Sequence, residues 1–91
     1  MVGPHESKWP DWWEWELELS PHLLKRMVDR HFNETDLRVM MTAATGYRAD
    51  HEPGRWVVEA LHQSRPWEVI VEPDPDDELL VVITAYSMDP Q

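Results

Sequence analysis

Residues 12–21, WWEWELELSP, combine two patterns that predict a strand running directly into a helix. In the first eight of these residues apolar and acidic side chains alternate, which is typical of a half-buried strand. The glutamates are predicted to face solvent, and the side predicted to face the helices consists of Trp13, Trp15, Leu17 and Leu19. Ser20 followed by Pro21 is typical of an N-cap and the first position of a helix.

Two helices are predicted after this strand. The first spans about residues 21–32, and its apolar stripe consists of Leu23, Leu24, Met27, Val28 and His31. A polar break follows, in which Asn33 or Thr35 can cap the second helix. That helix extends to about residue 45 before Gly46 ends it, and its inward side consists of Leu37, Met40, Met41 and Ala44.

Three antiparallel strands are predicted in the second half of the chain, after a loop at residues 47–54. They span about residues 55–62, 67–72 and 79–87. The last of them, LLVVITAY at residues 79–86, is almost continuously apolar or β-branched, which indicates a central strand covered on both faces.

These elements predict an α+β fold with the order strand, helix, helix and three antiparallel strands. Both helices are expected to pack on one face of a four-stranded sheet. Residues 12–88 are predicted to form this single domain. Residues 1–11 are polar and contain proline, so we expect them to be a flexible N-terminal arm.

Length and cysteine content limit the class of protein. A chain of 91 residues has room for one domain. It has no cysteine, which excludes a disulfide framework, a thiolate zinc site and a cysteine nucleophile. The first six residues show no secretory signal, and the longest apolar run, residues 79–83, is too short to cross a bilayer. We therefore expect a cytoplasmic protein that does not bind a membrane.

The formal net charge of −10 is concentrated at the two ends of the chain. Residues 1–20 contain five acidic side chains and one lysine, and residues 72–91 contain six acidic side chains and no basic one. Residues 21–71 contain seven of each sign. Nucleic-acid binders usually carry a basic surface, so contact with RNA would depend on a local patch in the middle of the chain, and DNA binding is not expected.

A histidine and two arginines recur every four residues on the first predicted helix. This spacing aligns His22, Arg26 and Arg30 along one edge of its polar face. A histidine beside two guanidiniums can bind a phosphate and transfer a proton. The same spacing also fits a solvated helix face on which Arg26 pairs with Asp29, so both interpretations stay open.

Two hydroxyl side chains, Thr84 and Tyr86, lie two residues apart near the end of the last predicted strand. Such a pair can orient a substrate, but both residue types are also ordinary strand formers. His62 shares its predicted strand face with Val58 and Ala60. It is therefore either an imidazole beside a cleft or a histidine at the edge of the core.

Metal and phosphate-loop motifs are absent from the sequence. Asp74, Asp76 and Glu78 alternate as at the start of a calcium loop, but the glycine and the closing glutamate of an EF-hand are missing. The prolines among these acids indicate a stiff, solvated turn instead. The chain contains no glycine-rich phosphate loop, zinc-protease motif or nucleophile elbow, and we expect no metal or cofactor.

Residues 20–86 resemble the family called domain of unknown function 4258. The resemblance is carried by SPHLLKRMVDR at residues 20–30, TDL at 35–37 and VITAY at 82–86. Members of that family look like relatives of the RelE, ParE and BrnT toxins and of the wider barnase–EndoU–colicin–RelE ribonuclease group. The order strand, two helices and three antiparallel strands is also similar to the toxin fold, so the resemblance implies a RelE-like domain.

The resemblance further implies a ribonuclease of the mRNA interferase type, controlled by an antitoxin. Such an enzyme needs no metal and uses the 2′-OH of its RNA as the nucleophile. The implied catalytic residues are His22 for proton exchange, Arg26 for the phosphate and Thr84 for positioning. In the same scheme Arg30 helps to hold the phosphate and Tyr86 helps to position it. Arg48, in the predicted loop, and His62 are further predicted substrate-binding residues.

The alternative is a non-enzymatic protein-interaction module on the same fold. In that case the Trp-rich segment at residues 12–15 or the acidic surface would contact another protein. The two hypotheses differ in one structural requirement. The ribonuclease needs His22, Arg26 and Thr84 to share one solvent-open cleft, and the interaction module does not.

Overall fold

The computed structural model describes residues 9–89, which form two helices, five strands and a short 3-10 helix. The 3-10 helix spans Asp11–Glu14. The remaining elements are β1 (Glu16–Leu19), α1 (Pro21–Arg30), α2 (Glu34–Thr42), β2 (Gly46–Ala49), β3 (Trp56–His62), β4 (Arg65–Asp74) and β5 (Leu79–Ser87). Residues 1–8 of the predicted flexible arm lie outside the described residues. Trp9, which follows them, stacks on Trp13 with 4.5 Å between the ring centroids.

The sheet has five strands in the order β1-β5-β4-β3-β2, so the α+β class is confirmed and the prediction of four strands is wrong. The additional strand is β2, which lies in the predicted loop and pairs antiparallel with β3 through Tyr47 and Val58. The sequence does not predict it because its four residues, GYRA, do not alternate between apolar and polar side chains. The sheet is also mixed, since β1 runs parallel to β5.

The first predicted strand begins later than the alternation indicates. Residues 11–14 form the 3-10 helix, in which the Trp13 and Trp15 amides donate to the carbonyls of Pro10 and Trp12. The predicted orientation is nevertheless confirmed, because the three glutamates are exposed. The apolar residues pack against the core: Trp12, Trp13, Trp15, Leu17 and Leu19. Trp12 contacts the rings of Tyr47 and Trp56, each at 5.9 Å, so this segment closes the core where β3 begins.

Ser20 is the N-cap of α1, as predicted. Its Oγ accepts a hydrogen bond from the Leu23 amide at 3.0 Å and donates one to the Ile83 carbonyl at 2.8 Å. The cap therefore also ties the start of α1 to β5. The helix ends at Arg30, two residues earlier than predicted, because His31 adopts the left-handed conformation with φ 59°.

The apolar stripe predicted for α1 is only partly correct. Leu23 and Met27 are buried, but Leu24 is 51% exposed and Val28 is 76% exposed. The half-buried positions beside Leu23 and Met27 are instead Arg26 and Arg30. Helix α1 packs on β5 through this mixed face, and the stems of long basic side chains can cover apolar surface.

Helix α2 is capped by Asn33, which exchanges hydrogen bonds with Asp36 in a capping box. It ends at Thr42, earlier than predicted, and Gly46 belongs to β2. It packs on β3, so both helices lie on one face of the sheet. The buried core on that face consists of Leu23, Met27, Phe32, Leu37, Met40, Met41, Val58, Ala60, Trp67, Val69, Val71, Leu80, Val82 and Ala85.

The central strand is β4, whereas the sequence predicted β5 at that position. β5 is interior only over its first half, because β1 pairs with it no further than Val82. The register shifts next, since Val71 pairs with Val82 and Ile70 pairs with Thr84, which leaves Ile83 out of the β4–β5 register. The second half of β5 therefore has one edge without a neighbouring strand among the described residues.

Candidate functional site

A cleft of about 560 Å³ opens where α1 ends, where β3 turns into β4 and where β5 ends. It lies at the opposite end of β3 from the tryptophan cluster, which consists of Trp9, Trp12, Trp13 and Trp56. The side chains that carry its chemistry are Arg30, His31, His62, Arg65, Tyr86 and Asp89. Trp67 forms an apolar wall, with its ring 5.4 Å from His62 and 5.3 Å from Phe32.

The turn between β3 and β4 places His62 and Arg65 side by side. Only Gln63 and Ser64 separate the strands, and both have positive φ, 53° and 65°. Two consecutive residues of this kind form the tight turn that suits a twisted hairpin. His62 and Arg65 are therefore direct cross-strand partners at the mouth of the cleft.

Arg30 reaches from the end of α1 to the uncovered edge of β5. Its Nη1 donates to the Ala85 carbonyl at 2.8 Å and to Thr84 Oγ1 at 3.3 Å. The guanidinium thus satisfies a strand carbonyl beyond the last residue that β1 covers. The guanidinium also bonds Thr84 at the margin of the cleft, and it places a positive charge in the cleft wall.

Tyr86 links the cleft to the sheet face that the helices leave uncovered. Its hydroxyl donates to Glu68 Oε1 at 2.8 Å, and Arg48 Nη2 donates to Glu68 Oε2 at 2.8 Å. The hydrogen bond from Arg48 lowers the pKa of Glu68. Burial, followed by the contact with Glu68, raises the pKa of Tyr86, so its phenol stays protonated at neutral pH.

Three of the seven predicted site residues line the cleft: Arg30, His62 and Tyr86. Thr84 is not part of the cleft lining, but its hydroxyl accepts a hydrogen bond from Arg30, which is. Arg48 lies in β2 rather than in a loop, and it bonds Glu59 and Glu68 outside the cleft. The structure therefore gathers most of the residues predicted to bind substrate.

His22 and Arg26 are not brought into the cleft. His22 is exposed in the first turn of α1, about 12 Å along the helix axis from Arg30. Arg26 pairs with Asp29 at 3.2 Å, and its buried Nε has no hydrogen-bond partner among residues 9–89. The cleft therefore does not bring His22, Arg26 and Thr84 together, so the catalytic residues that the resemblance implies are not the groups that converge in it.

His31 and Arg65 line the cleft but were not predicted as site residues. The sequence predicts His31 in the apolar stripe, because no glycine or asparagine marks the end of the helix before it. Arg65 was assigned to a four-residue turn. A two-residue turn at Gln63 and Ser64 would have placed Arg65 beside His62, but neither residue is the glycine or asparagine that normally marks such a turn.

Two carboxylates also line the cleft, and each has an arginine partner. Asp29 pairs with Arg26 on α1, and Asp89 pairs with Arg65 at 2.9 Å. The local charge is therefore close to balanced, although the whole chain is strongly acidic. Within residues 9–89 no group of three or more His, Cys, Asp or Glu side chains is placed to hold a metal ion. Over the same range neither helix has the length and apolar composition to cross a bilayer.

Comparison with known proteins identifies a family for this chain but no individual relative. A family model described as a domain of unknown function (DUF4258) matches residues 19–87. No curated protein and no solved structure matches the chain. The matched region includes both helices, β2 to β5 and nearly all of the cleft, and the chain belongs to the DUF4258 family.

Proposed function

We propose that this domain is a RelE-like, metal-independent ribonuclease of the cytoplasm, of the toxin type and controlled by an antitoxin. The observation that carries the proposal is the cleft, where two imidazoles, two guanidiniums and a phenol converge. Proton exchange and charge stabilisation are the two tasks that RNA cleavage requires when no metal takes part.

The chemistry assigns a role to each group. One imidazole takes the proton of the 2′-OH, whose oxygen attacks the adjacent phosphorus, and the bond from phosphorus to the 5′-oxygen breaks. The other imidazole, protonated beforehand, gives its proton to that leaving oxygen. His31 and His62 are the pair for these transfers. Arg30 and Arg65 stabilise the charge that develops on the phosphate. Tyr86, whose hydroxyl already donates to Glu68, contributes its ring to the wall of the cleft.

The order of elements supports the RelE-like assignment. A strand, two helices and three antiparallel strands follow one another as the resemblance implies, and β2 is an addition at the far edge of the sheet. The cleft lies at the opposite end of β3 from the tryptophan cluster, so the segment around Trp12 and Trp13 serves the core rather than the substrate.

Two histidine variants test the proposal and the location of the site together. The purified protein should cleave single-stranded RNA in EDTA, with products that end in a 2′,3′-cyclic phosphate. His62→Gln should lower the rate by on the order of 10²–10⁴, the range for losing a proton-transfer group. His22→Gln makes the same chemical change on the exposed start of α1 and should leave the rate within about twofold.

The reverse ranking would place catalysis on the His22, Arg26 and Thr84 set that the resemblance implied. RNA left intact by the wild-type protein, as free transcript and on ribosomes, would rule out the ribonuclease. The melting temperatures of both variants should stay close to that of the wild type, which shows that a change of rate is not a loss of folding.

A second candidate, a protein-interaction module, is favoured by the exposed face of α1. Leu24 and Val28 lie one helical turn apart and are 51% and 76% exposed, so together they form a small apolar patch of the kind that can contact another protein. In this case the protein leaves RNA intact, and Leu24→Glu and Val28→Glu each abolish the binding of a protein partner. Trp12, Trp13 and Trp15 are half-buried against the core, so the predicted contact through residues 12–15 would use only the part of this segment that stays exposed.

A further inference from the structure

We propose that Arg65 is a phosphate-binding subsite of the cleft and that the Asp89 carboxylate fills it in the free protein. A phosphate of single-stranded RNA would replace this carboxylate on binding. The subsite rests on the proposed function, because it names the group of the RNA that the cleft holds and the residue that competes with it.

The geometry presents Asp89 to Arg65 on an anchored backbone. Arg65 Nη1 donates to Asp89 Oδ2 at 2.9 Å. The Asp89 amide donates to Ser87 Oγ at 3.1 Å, and the Met88 amide donates to the Pro66 carbonyl at 2.9 Å. The segment after β5 therefore continues along β4 and carries the carboxylate back to the first residue of that strand.

The two partners differ in exposure, and the more exposed one is the arginine that a phosphate would contact. The Arg65 side chain lines the cleft and is 65% exposed, whereas the Asp89 side chain is 25% exposed. The guanidinium has five N–H donors, and Asp89 uses one of them. An ion pair whose arginine is this exposed contributes little free energy, so a phosphate that accepts two N–H groups at once can displace the carboxylate.

The neighbouring charges single out Asp89 as the competitor. Asp29, the other carboxylate that lines the cleft, is held by Arg26 on α1. Arg30 is held by the Ala85 carbonyl and by Thr84. Removing the charge of Asp89 leaves Arg65 as an uncompensated cation beside His62, which is its cross-strand partner.

The test compares Asp89→Asn with Asp77→Asn. Both variants remove one negative charge, but Asp77 is exposed in the turn between β4 and β5, at the other end of the sheet. The probe is a fluorescent RNA hexamer methylated at every 2′-oxygen, which cannot be cleaved by its own 2′-OH. By anisotropy at low salt, Asp89→Asn should bind it about two- to fivefold more tightly than Asp77→Asn. Arg65→Gln in the Asp89→Asn background should remove the gain.

Equal affinity of the Asp89→Asn and Asp77→Asn proteins would overturn the subsite, and so would a gain that survives Arg65→Gln. A second readout is the ¹⁵N shift of the Arg65 side chain during titration with inorganic phosphate, which should move further in Asp89→Asn than in Asp77→Asn. No movement in either protein also overturns the subsite.

These results separate the subsite from the nuclease. If the wild-type protein leaves RNA intact while Asp89→Asn shows the Arg65-dependent gain, the ribonuclease is wrong and the subsite stands. If the wild type cleaves RNA while the two variants bind equally, the subsite is wrong and the ribonuclease stands.

Discussion

Arg48 can influence the cleft although it does not line it. Its guanidinium bonds Glu68, and Glu68 accepts the hydroxyl of Tyr86, whose ring forms part of the cleft wall. The sequence predicted that Arg48 binds substrate directly from a loop. In the structure its effect on a substrate would pass through Glu68 and Tyr86, because the three side chains follow one another across β2, β4 and β5.

Glu68→Gln should make the pH dependence of stability shallower in acid. Arg48 lowers the pKa of Glu68 in the folded protein, so the folded state favours the charged form. The stabilisation that this charge provides is present above the ordinary glutamate pKa of 4.5 and is lost as the pH falls through the lower folded value. Urea unfolding at pH 7 and below pH 4 should therefore show a difference between wild type and variant that shrinks in acid.

Glu72→Gln is the matched control for this experiment. Glu72 lies on the same strand and pairs with Arg55 at 3.0 Å, but its side chain is 48% exposed against 13% for Glu68. An exposed pair contributes little, so this variant should follow the wild type at both pH values. A Glu68→Gln difference that grows in acid would contradict the assignment of Arg48 as the stabilising partner.

Single residues of the site were predictable where a local spacing marked them. Arg30 was identified from its i+4 relation to Arg26, and Tyr86 from its place at the end of the last strand. The contact of Arg30 with the Ala85 carbonyl was not predictable, because it depends on where β1 stops pairing with β5. Sequence spacing specifies neighbours within one element, and this site is built between elements.

Ser20 connects the start of α1 to β5 by a hydrogen bond to Ile83, which lies 63 residues further along the chain. Its role as N-cap of α1 was predicted from the Ser-Pro pair. Its donation to the Ile83 carbonyl was not, since it joins a helix start to a distant strand. This second bond lies where β5 leaves the register of β4, so Ser20 satisfies a carbonyl at an irregular point of the sheet.

Ser20→Ala should destabilise the domain by about 1–2 kcal/mol, the upper part of the range for losing an N-cap, because a second hydrogen bond is lost with it. Ser20→Thr keeps the hydroxyl and should retain most of the stability. Thermal and urea unfolding of both variants would measure the difference. A loss below about 0.5 kcal/mol for Ser20→Ala would mean that solvent replaces both bonds.

Val82 and Ile83 differ in burial because the register of β5 is irregular between them. Val82 is fully buried in the core under the helices, whereas Ile83 is half-buried and outside the β4–β5 register. The sequence predicted similar burial for both, because a bulge leaves no mark on a run of apolar residues.

Val82→Ala should cost about 2–4 kcal/mol through lost burial and the cavity left behind, and Ile83→Ala less than half of that. Urea unfolding of the two variants beside the wild type is the measurement. The opposite order would mean that the uncovered face of the sheet contributes more to stability than the face under the helices.

At the scale of the whole molecule, the order of the major elements was predictable and the membership of the sheet was not. Both helices and the last three strands were predicted from strong periodicity and turn residues. β2 and the 3-10 helix were not predicted because neither segment has a pattern that marks its structure. Each is held by a partner in another element, Val58 for Tyr47 and Trp56 for Trp12. Short elements depend on the fold around them more than on their own pattern.

Charge also acts on the molecule as a whole. The net charge of −10 opposes compaction through repulsion among the acids. The arginine ion pairs of the described residues partly offset it, but the Arg26, Arg38, Arg48, Arg55 and Arg65 side chains that form them are all at least 36% exposed. Exposed pairs contribute little each, so we expect repulsion to be the larger effect at neutral pH.

Raising the salt concentration should therefore stabilise the protein at pH 7. Screening shortens the range of repulsion from about 30 Å at 0.01 M to about 8 Å at 0.15 M, and the melting temperature should rise over that interval by a few degrees. The matched control is the same titration near pH 4.7, the isoelectric point, where the net charge vanishes and the rise should disappear. A melting temperature that falls with salt at pH 7 would show that the ion pairs outweigh the repulsion. In that case Arg48 would be the first residue to substitute, because it forms ion pairs with two carboxylates, those of Glu59 and Glu68.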